Sequence, residues 1–438
     1  MKKIVSIIAV ALTAFAVMSC DKSENKPVET TVQLMYSSTL FDASDAEISV
    51  TDLAETVTYN ATTSGGSAVF SLKPGSYTAR CTYKTVEDGK RAAYTGESTI
   101  TVLPKTVGTY NITLSRSESQ QIIIKEVYNG GCPKNDGTGS YSNDAYIILY
   151  NNSEFEADAT DIQFTFAAPY NGNGANKYLG TDGKLSYESE SWIPAYGAIW
   201  WFTSDVKIAP YSQIVVACFG AIDHTATYTN SVNLANSAYY VMSNSGVTQY
   251  TNAKYAVADV VPSTHYLTCS PFTQGNAWAL SNASPAFYIG KATKEEGLAW
   301  STNADAYDHT MGTSAAFNVV KYPKADVIDA VEIWSAANIA KSNSRFPATV
   351  NTGYVALTNA KGYTIYRNVD KEATEALTEN AGKIVYNYAG GTTDVEGTTD
   401  PSGIDAEASI AAGAHIIYSD TNNSATDFHQ RKTASLKK

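Results

Sequence analysis

The chain has little charge, and least of it is positive. Only 17% of its 438 residues are Asp, Glu, Lys or Arg, and 31 basic residues face 43 acidic ones, a net −12. Nucleic-acid affinity rests on neutralising phosphates with Lys and Arg, so a nucleic-acid ligand is excluded. A basic membrane-surface module is excluded on the same ground. Histidine is scarce: His224, His265, His309, His415 and His429 are the full set, and no two lie within four residues. That rules out the paired-His helix motifs of metalloproteases. Five Cys occur without a CxxC, so zinc knuckles and thioredoxin-like motifs are absent. No GxSxG elbow is present, and nothing matches the phosphate-cradling GxxxxGK[ST]. The nearest string, Asn171-Gly172-Asn173-Gly174-Ala175-Asn176-Lys177, reads as a glycine-rich surface loop. No repeat of fixed period stands out. Beyond the first twenty residues no apolar run approaches the length needed to cross a bilayer.

What is present is apolar and aromatic. Hydrophobic residues make up 44%, enough for a sizeable core, and Tyr alone numbers 30. Lys2 and Lys3 precede an apolar stretch from Ile4 to Val17, closed by Val17-Met18-Ser19-Cys20. This three-part layout is that of a secretory signal. A small residue followed by Cys resembles the bacterial lipobox, in which cleavage before the Cys frees its thiol to carry lipid. Cys20 is therefore the expected lipidation site; an ordinary signal with an incidental Cys is the alternative. Removing Met1 to Ser19 takes away two Lys and leaves −14. Residues 20–30 read as a flexible tether. Acidic residues just after the Cys resemble the export signal of Bacteroidetes surface lipoproteins. That resemblance implies an outer-membrane location, with the cell surface favoured over the periplasmic face.

The body of the chain is written in strands. Tyr77, Ala79, Cys81 and Tyr83 alternate with Thr78, Arg80, Thr82 and Lys84, the pattern of a half-buried strand. Tyr110, Ile112 and Leu114 repeat it, as do Val32, Leu34 and Tyr36. Pro74-Gly75 suits the centre of a type II turn. Residues 31–116 thus read as a small β-sandwich. The stretch from Gly66 to Tyr77 resembles the prealbumin-like, carboxypeptidase-regulatory-type sandwich, a stalk or spacer in bacterial surface proteins. Gln121–Tyr128, a Gly- and Asn-rich loop, and Ala145–Ser153 then resemble the start of the lamin-tail, immunoglobulin-like sandwich. Ala209–Ala217 and Asp420–Phe428 resemble later parts of that fold. The whole span 121–438 also resembles an uncharacterised Bacteroidetes lipoprotein family known only as a domain of unknown function. The expected fold class is mainly β: a small N-terminal sandwich, then a larger lamin-tail-like sandwich with an insertion at about 170–325. Asp370–Asn380 and Thr293–Trp300 are the two short helices expected.

Candidate chemistry is thin. Asp308-His309 and Asp223-His224 place a carboxylate beside an imidazole, a donor set for a transition metal if loops bring the pairs together. Exposed loop histidines are the plainer alternative. Asp136 and Asp144 in the Asn129–Asp144 loop could hold Ca²⁺, but turn chemistry explains that composition without a metal. Asp394–Asp405 has the same double reading. No cofactor is implied. After Cys20, four Cys remain in an oxidising compartment: Cys81, Cys132, Cys218 and Cys269, with three possible pairings. Cys81, on the apolar face of its strand, is expected to be a buried free thiol.

The aromatic excess is the strongest signal. Trp192, Tyr196, Trp200, Trp201 and Phe202 fall within eleven residues, with Trp278 and Trp300 further on. Strand alternation sends Trp200 and Trp201 to opposite faces, so one of them faces away from the main core unless the insertion covers it. Trp192, Tyr196, Trp200 and Trp201 are accordingly candidate ligand-binding residues, against the alternative of buried packing. Three functions follow. The first is a non-enzymatic lipoprotein, membrane-bound only through Cys20, that binds a glycan or protein ligand and serves an outer-membrane TonB-dependent transporter. The second is a surface adhesin or matrix protein. The third is a hydrolase with its site in the 170–325 region.

Overall fold

The computed structural model describes residues 25–54, 57–255, 258, 260–395 and 398–437. Cys20 and the signal lie outside the described residues. The chain forms two compact units. One takes residues up to 85 with 92–118, and the other takes 86–91 with 119–438.

The first unit is built from strands β1 (Val28–Tyr36), β2 (Thr39–Leu40), β3 (Glu47–Asp52), β4 (Thr58–Thr62), β5 (Ser67–Leu72), β6 (Gly75–Glu87), β7 (Lys90–Val102), β8 (Gly108–Thr113) and β9 (Ser115–Gln120). One sheet runs β2-β1-β5 with β8 parallel on the other side of β1; the second runs β4-β3-β6-β7-β9. Val32, Leu34, Tyr77, Ala79, Cys81 and Ile112 meet between them, as the alternation requires. Two expectations change. Strand pairing begins at Val28, so the tether is shorter than residues 20–30. Gly75 does not take a positive φ, and Pro74-Gly75 is no type II turn. The reason is topological: β5 and β6 belong to different sheets, so the chain crosses between layers there instead of folding into a hairpin.

The second unit contains β10 (Ile122–Tyr128), β11 (Cys132–Pro133), β12 (Ser140–Tyr141), β13 (Tyr146–Asn151), β14 (Ala157–Asp158), β15 (Ile162–Ala167), β16 (Trp192–Trp201), β17 (Lys207–Ile208) and β18 (Gln213–Ala217). It continues with β19 (Tyr240–Met242), β20 (Tyr266–Pro271), β21 (Ala286–Lys291), β22 (Tyr307–Asp308), β23 (Val319–Pro323), β24 (Val327–Ser335), β25 (Val355–Leu357), β26 (Thr364–Arg367) and β27 (Phe428–Arg431). Fourteen of these make one sheet, ordered β25-β24-β21-β15-β16-β20-β19-β18-β13-β10-β26-β27, with β23 on β16 and β22 on β23. Each strand along that order places a side chain in one shared core, including Ile124, Leu149, Phe164, Trp200, Ile289, Ile333, Ile365 and Phe428. A sheet whose two ends feed the same core is wrapped round it. The backbone of Thr358, just past β25, accordingly donates to the side chain of Gln430 on β27.

The outer faces are covered as well. Tyr178, Leu185, Tyr187 and Phe346 pack over Trp201, Ile193 and Tyr288. Ile404, Ile416 and Tyr418 pack over Ile123, Tyr150 and Tyr366. Strands covered on both sides lose the apolar/polar alternation, and β10 is buried throughout, its Lys125 and Glu126 included. The stretch 170–325 is therefore no insertion. It supplies β16 and β18 to β23 to the sheet.

Helix is minor, as expected. α1 (Lys294–Thr302) opens on a capping box between Thr293 and Glu296. α2 (Lys371–Glu375) is capped by Asp370, α3 (Ala406–Ala411) by Asp405 and α4 (Ser424–Asp427) by Asn423. α3 and α4 were not expected from the sequence.

β27 carries a buried imidazole that sets an acid limit on the fold. His429 Nδ1 lies 2.7 Å from Asn368 Oδ1, and Nε2 lies 2.7 Å from the Tyr388 hydroxyl. A neutral ring satisfies both, donating from Nδ1 and accepting at Nε2. Burial, reinforced by Arg431, lowers its pKa to about 3. The unfolded chain binds that proton near pH 6.5, so stability is full above that value and falls as pH drops towards 3. The loss is at most about 1.4 kcal/mol per pH unit. Urea titrations from pH 7 to 4 should show a steeper loss for the native chain than for His429→Gln; equal slopes would refute the assignment.

Candidate functional site

Strand β16 changes neighbours halfway along. Trp192–Tyr196 pair with β23, whereas Ala198–Trp201 pair with β20. On its other edge, the register with β15 shifts between Phe164 and Phe166. Gly197 sits at this fork with φ +89°. A Cβ there would stand 3.0 Å from Cδ1 of Trp278, so the position has neither the backbone nor the room for a side chain. A bulge at a strand fork re-aims side chains and leaves a gap between the diverging partners.

The gap is an open cleft of about 580 Å³, within the size range of small-ligand sites. Phe166 and Trp278 form its floor, with ring centroids 5.2 Å apart. Tyr170 and Tyr196 flank Phe166 at 5.6 and 5.9 Å. Tyr170 is 37% exposed and Tyr196 is half-buried. The Tyr196 hydroxyl donates to the Ala316 carbonyl at 2.9 Å, which fixes the ring. Burial pushes the Tyr170 phenol up to about 12 and raises that of Tyr196, so both stay neutral.

The rim is Thr273-Gln274-Gly275. Gln249 Nε2 donates to the carbonyls of Thr273 at 2.5 Å and Gly275 at 2.7 Å, and this clamps the loop. Gln274 itself is exposed. Among the described residues that line the cleft, none is Asp, Glu, His, Lys or Arg. The Nε1 of Trp278 is buried, has no acceptor among the described residues and lies 3.6 Å from the place a Gly197 Cβ would take.

The segment that carries Tyr170 into the cleft is held from behind. Arg345 Nη1 donates to the carbonyls of Pro169 at 3.0 Å and Tyr170 at 3.4 Å. Its Nε and Nη2 grip Glu332 Oε1 at 3.0 and 2.6 Å, and its backbone N–H reaches Glu332 Oε2 at 2.9 Å. Both side chains are fully buried.

Of the residues singled out from the sequence, Tyr196 lines this cleft. The others require correction. Trp200 and Trp201 do point to opposite faces, but both are buried, Trp200 in the central core and Trp201 under Tyr178 and Tyr187. The covering segments leave neither open to a ligand. Trp192 packs against Tyr187 and under the Lys321 ammonium, away from the cleft. Phe166, Tyr170 and Gln274 were not anticipated. The glycine inside the aromatic strand was the one available signal, since Gly within a strand pattern marks a bulge or a close approach.

The metal expectations fail. His224 is buried, with Nδ1 2.8 Å from the Tyr141 hydroxyl and Nε2 3.0 Å from the Gly220 carbonyl, so both nitrogens are occupied. Asp223 caps the following turn through Thr225. Asp308 accepts from the Tyr178 hydroxyl at 2.7 Å and from Thr310 N, while His309 is exposed. Among the described residues, no three His, Cys, Asp or Glu side chains gather into a metal site. The Ca²⁺ reading of Asn129–Asp144 fails as well. Asp144 is buried and accepts from Ser231 at 2.6 Å and Tyr128 at 3.1 Å, while Asp136 closes a turn onto Thr138. In the Asp394–Asp405 run, Asp400 accepts from Val369 N and Asp405 caps α3. Cys81, Cys132, Cys218 and Cys269 are all buried free thiols, so none of the three pairings forms. Burial pushes Cys81 and Cys132 up to about 11, which makes all such thiols poor nucleophiles.

No curated protein matches the chain. The crystal structure of a DUF4876 family protein from Bacteroides thetaiotaomicron is 17% identical. It covers 92% of this chain and 95% of its own, with a TM-score of 0.59. At that identity the likeness speaks to the fold alone. A DUF1812 structure from the same organism, 13% identical, covers 61% of this chain and 99% of its own at a TM-score of 0.19. That score supports no conclusion. The cleft rim falls inside the segment that a family model recognises, and Tyr170 and Tyr196 fall before it. Residues 209–402 match the family described as "Protein of unknown function (DUF4876)", so the resemblance to an uncharacterised family holds over that segment.

Proposed function

We propose that the protein is a non-enzymatic capture protein of the bacterial cell envelope, anchored by lipid at Cys20, that holds a small ligand in the cleft at Gly197. The observation that carries this is the pairing of an exposed Tyr170 and a half-buried, hydrogen-bonded Tyr196 with a lining that has no Asp, Glu, His, Lys or Arg. Hydrolysis of a glycoside or ester needs two placed carboxylates or an activated nucleophile, and the lining offers only high-pKa tyrosines. Binding needs rigid contact area, and Tyr supplies it with little side-chain entropy to lose. A surface capture protein of this kind hands its ligand to a transporter, so the partner proposed is an outer-membrane TonB-dependent receptor.

Two results test this. Cys20→Ala should move the protein from the membrane fraction to the soluble fraction; unchanged fractionation would remove the anchor from the proposal. Affinity capture of the native lipoprotein from its own membranes should recover an outer-membrane transporter. Recovery of adhesion partners alone, with none, would turn the case to a surface adhesin.

A further inference from the structure

We propose that the ligand of the Gly197 cleft is an uncharged carbohydrate, stacked on Tyr170 and Tyr196 and hydrogen-bonded by the Gln274 rim. This rests on the reading of the cleft as the ligand site. Two observations choose the chemical class.

The first is charge. With no ionisable side chain other than tyrosine in the lining, a charged ligand would give up hydration and meet no counter-ion. A sulfated, sialylated or phosphorylated molecule is therefore disfavoured, and a neutral one is not.

The second is shape and surface. The cleft is open, and its lining combines the aromatic rings of Phe166, Tyr170, Tyr196 and Trp278 with the polar side chains of Thr273 and Gln274. A sugar ring has the same mixed character, with apolar C–H faces and a girdle of hydroxyls. A hydroxyl both donates and accepts, and so does a primary amide, which makes Gln274 a fitting partner where a carboxylate or an ammonium would satisfy half. A wholly apolar ligand would leave the rim unpaired.

The rim is also held in place. The Gln249 clamp on the Thr273 and Gly275 carbonyls holds the rim ready, so little ordering is left to be done on binding.

The test uses the mature full-length chain on an array of neutral oligosaccharides, matched sulfated and sialylated oligosaccharides, and unrelated peptides, followed by calorimetry on the hits. Neutral oligosaccharides should bind, with affinity little changed between low and high salt. Tyr170→Ala and Tyr196→Ala should each weaken binding tenfold or more, and Gln274→Ala severalfold. Gln274 is exposed, so its variant keeps the fold and remains informative if a tyrosine variant does not. Hits confined to charged glycans or peptides, or neutral binding untouched by all three variants, would overturn the proposal. Native mass spectrometry of the protein purified from its own cells separates the two levels of inference. A non-carbohydrate ligand that is lost in Gln274→Ala or Tyr196→Ala overturns the carbohydrate and leaves the cleft as the binding site. No cleft-dependent ligand from cells, together with no array hit, overturns both.

Discussion

Arg345→Met is expected to destabilise the second unit by about 3–5 kcal/mol, the range for removing one partner of a buried ion pair. The cost lies less in the lost attraction than in what remains. Glu332 is fully buried, and without the guanidinium its Oε1 keeps the indole N–H of Trp334 as a partner while Oε2 keeps the backbone N–H of residue 345. Two neutral donors do not replace a bidentate cation in a dry interior. The same change frees the carbonyls of Pro169 and Tyr170 from Nη1, so the segment that delivers Tyr170 to the cleft loses its anchor. Urea denaturation should show a lower midpoint, and amide exchange should rise at residues 169–172 before it rises elsewhere. The double variant Arg345→Met, Glu332→Leu removes both charges and should recover much of the loss. A single variant as stable as the native chain would mean that the pair is not buried as described.

Much of the first unit was legible because its strands are half-buried. One wet face and one dry face write an alternation that fixes both the element and its core side, as at Tyr77, Ala79 and Cys81. The second unit hides more. Ile122–Ile124 is apolar at consecutive positions because both faces are covered, and the Lys125 and Glu126 that follow are buried too, so the run signals a strand and says nothing of its partners. Very short strands such as Tyr240–Met242 and Tyr307–Asp308, set among Gly, Asn and Ser, give no pattern at all. Their stretch therefore reads as an insertion when it is part of the sheet. The cleft joins Phe166–Tyr170, Tyr196–Gly197 and Thr273–Trp278, segments far apart in sequence that only the strand order brings together. Aromatic density led to β16 but picked its buried rings, since density does not distinguish a ring under a covering loop from one beside a fork.

Gly197→Val should be nearly as damaging as the loss of Arg345, and for an unrelated reason. At φ +89° a β-branched residue is held in a backbone conformation that costs on the order of 1–3 kcal/mol. Its Cβ would also stand 3.0 Å from Trp278 Cδ1, and moving that ring to admit the branched side chain costs roughly another 1–3 kcal/mol. The strand cannot escape by flattening, because Gly197 is where β16 leaves β23 for β20, and its carbonyl accepts from Phe272 N at 3.1 Å. Gly197→Ala keeps the positive-φ strain and the Cβ contact but adds no branched methyls, so its loss should be smaller. In both variants the Trp278 ring, which lines the cleft, must give way, so ligand affinity should fall even in whatever fraction remains folded. Denaturant midpoints for the three chains, with near-ultraviolet dichroism reporting the Trp278 environment, give the ordering glycine above alanine above valine. Valine as stable as glycine would show that the fork at 197 is not strained, and the cleft would then lose the reason for its shape.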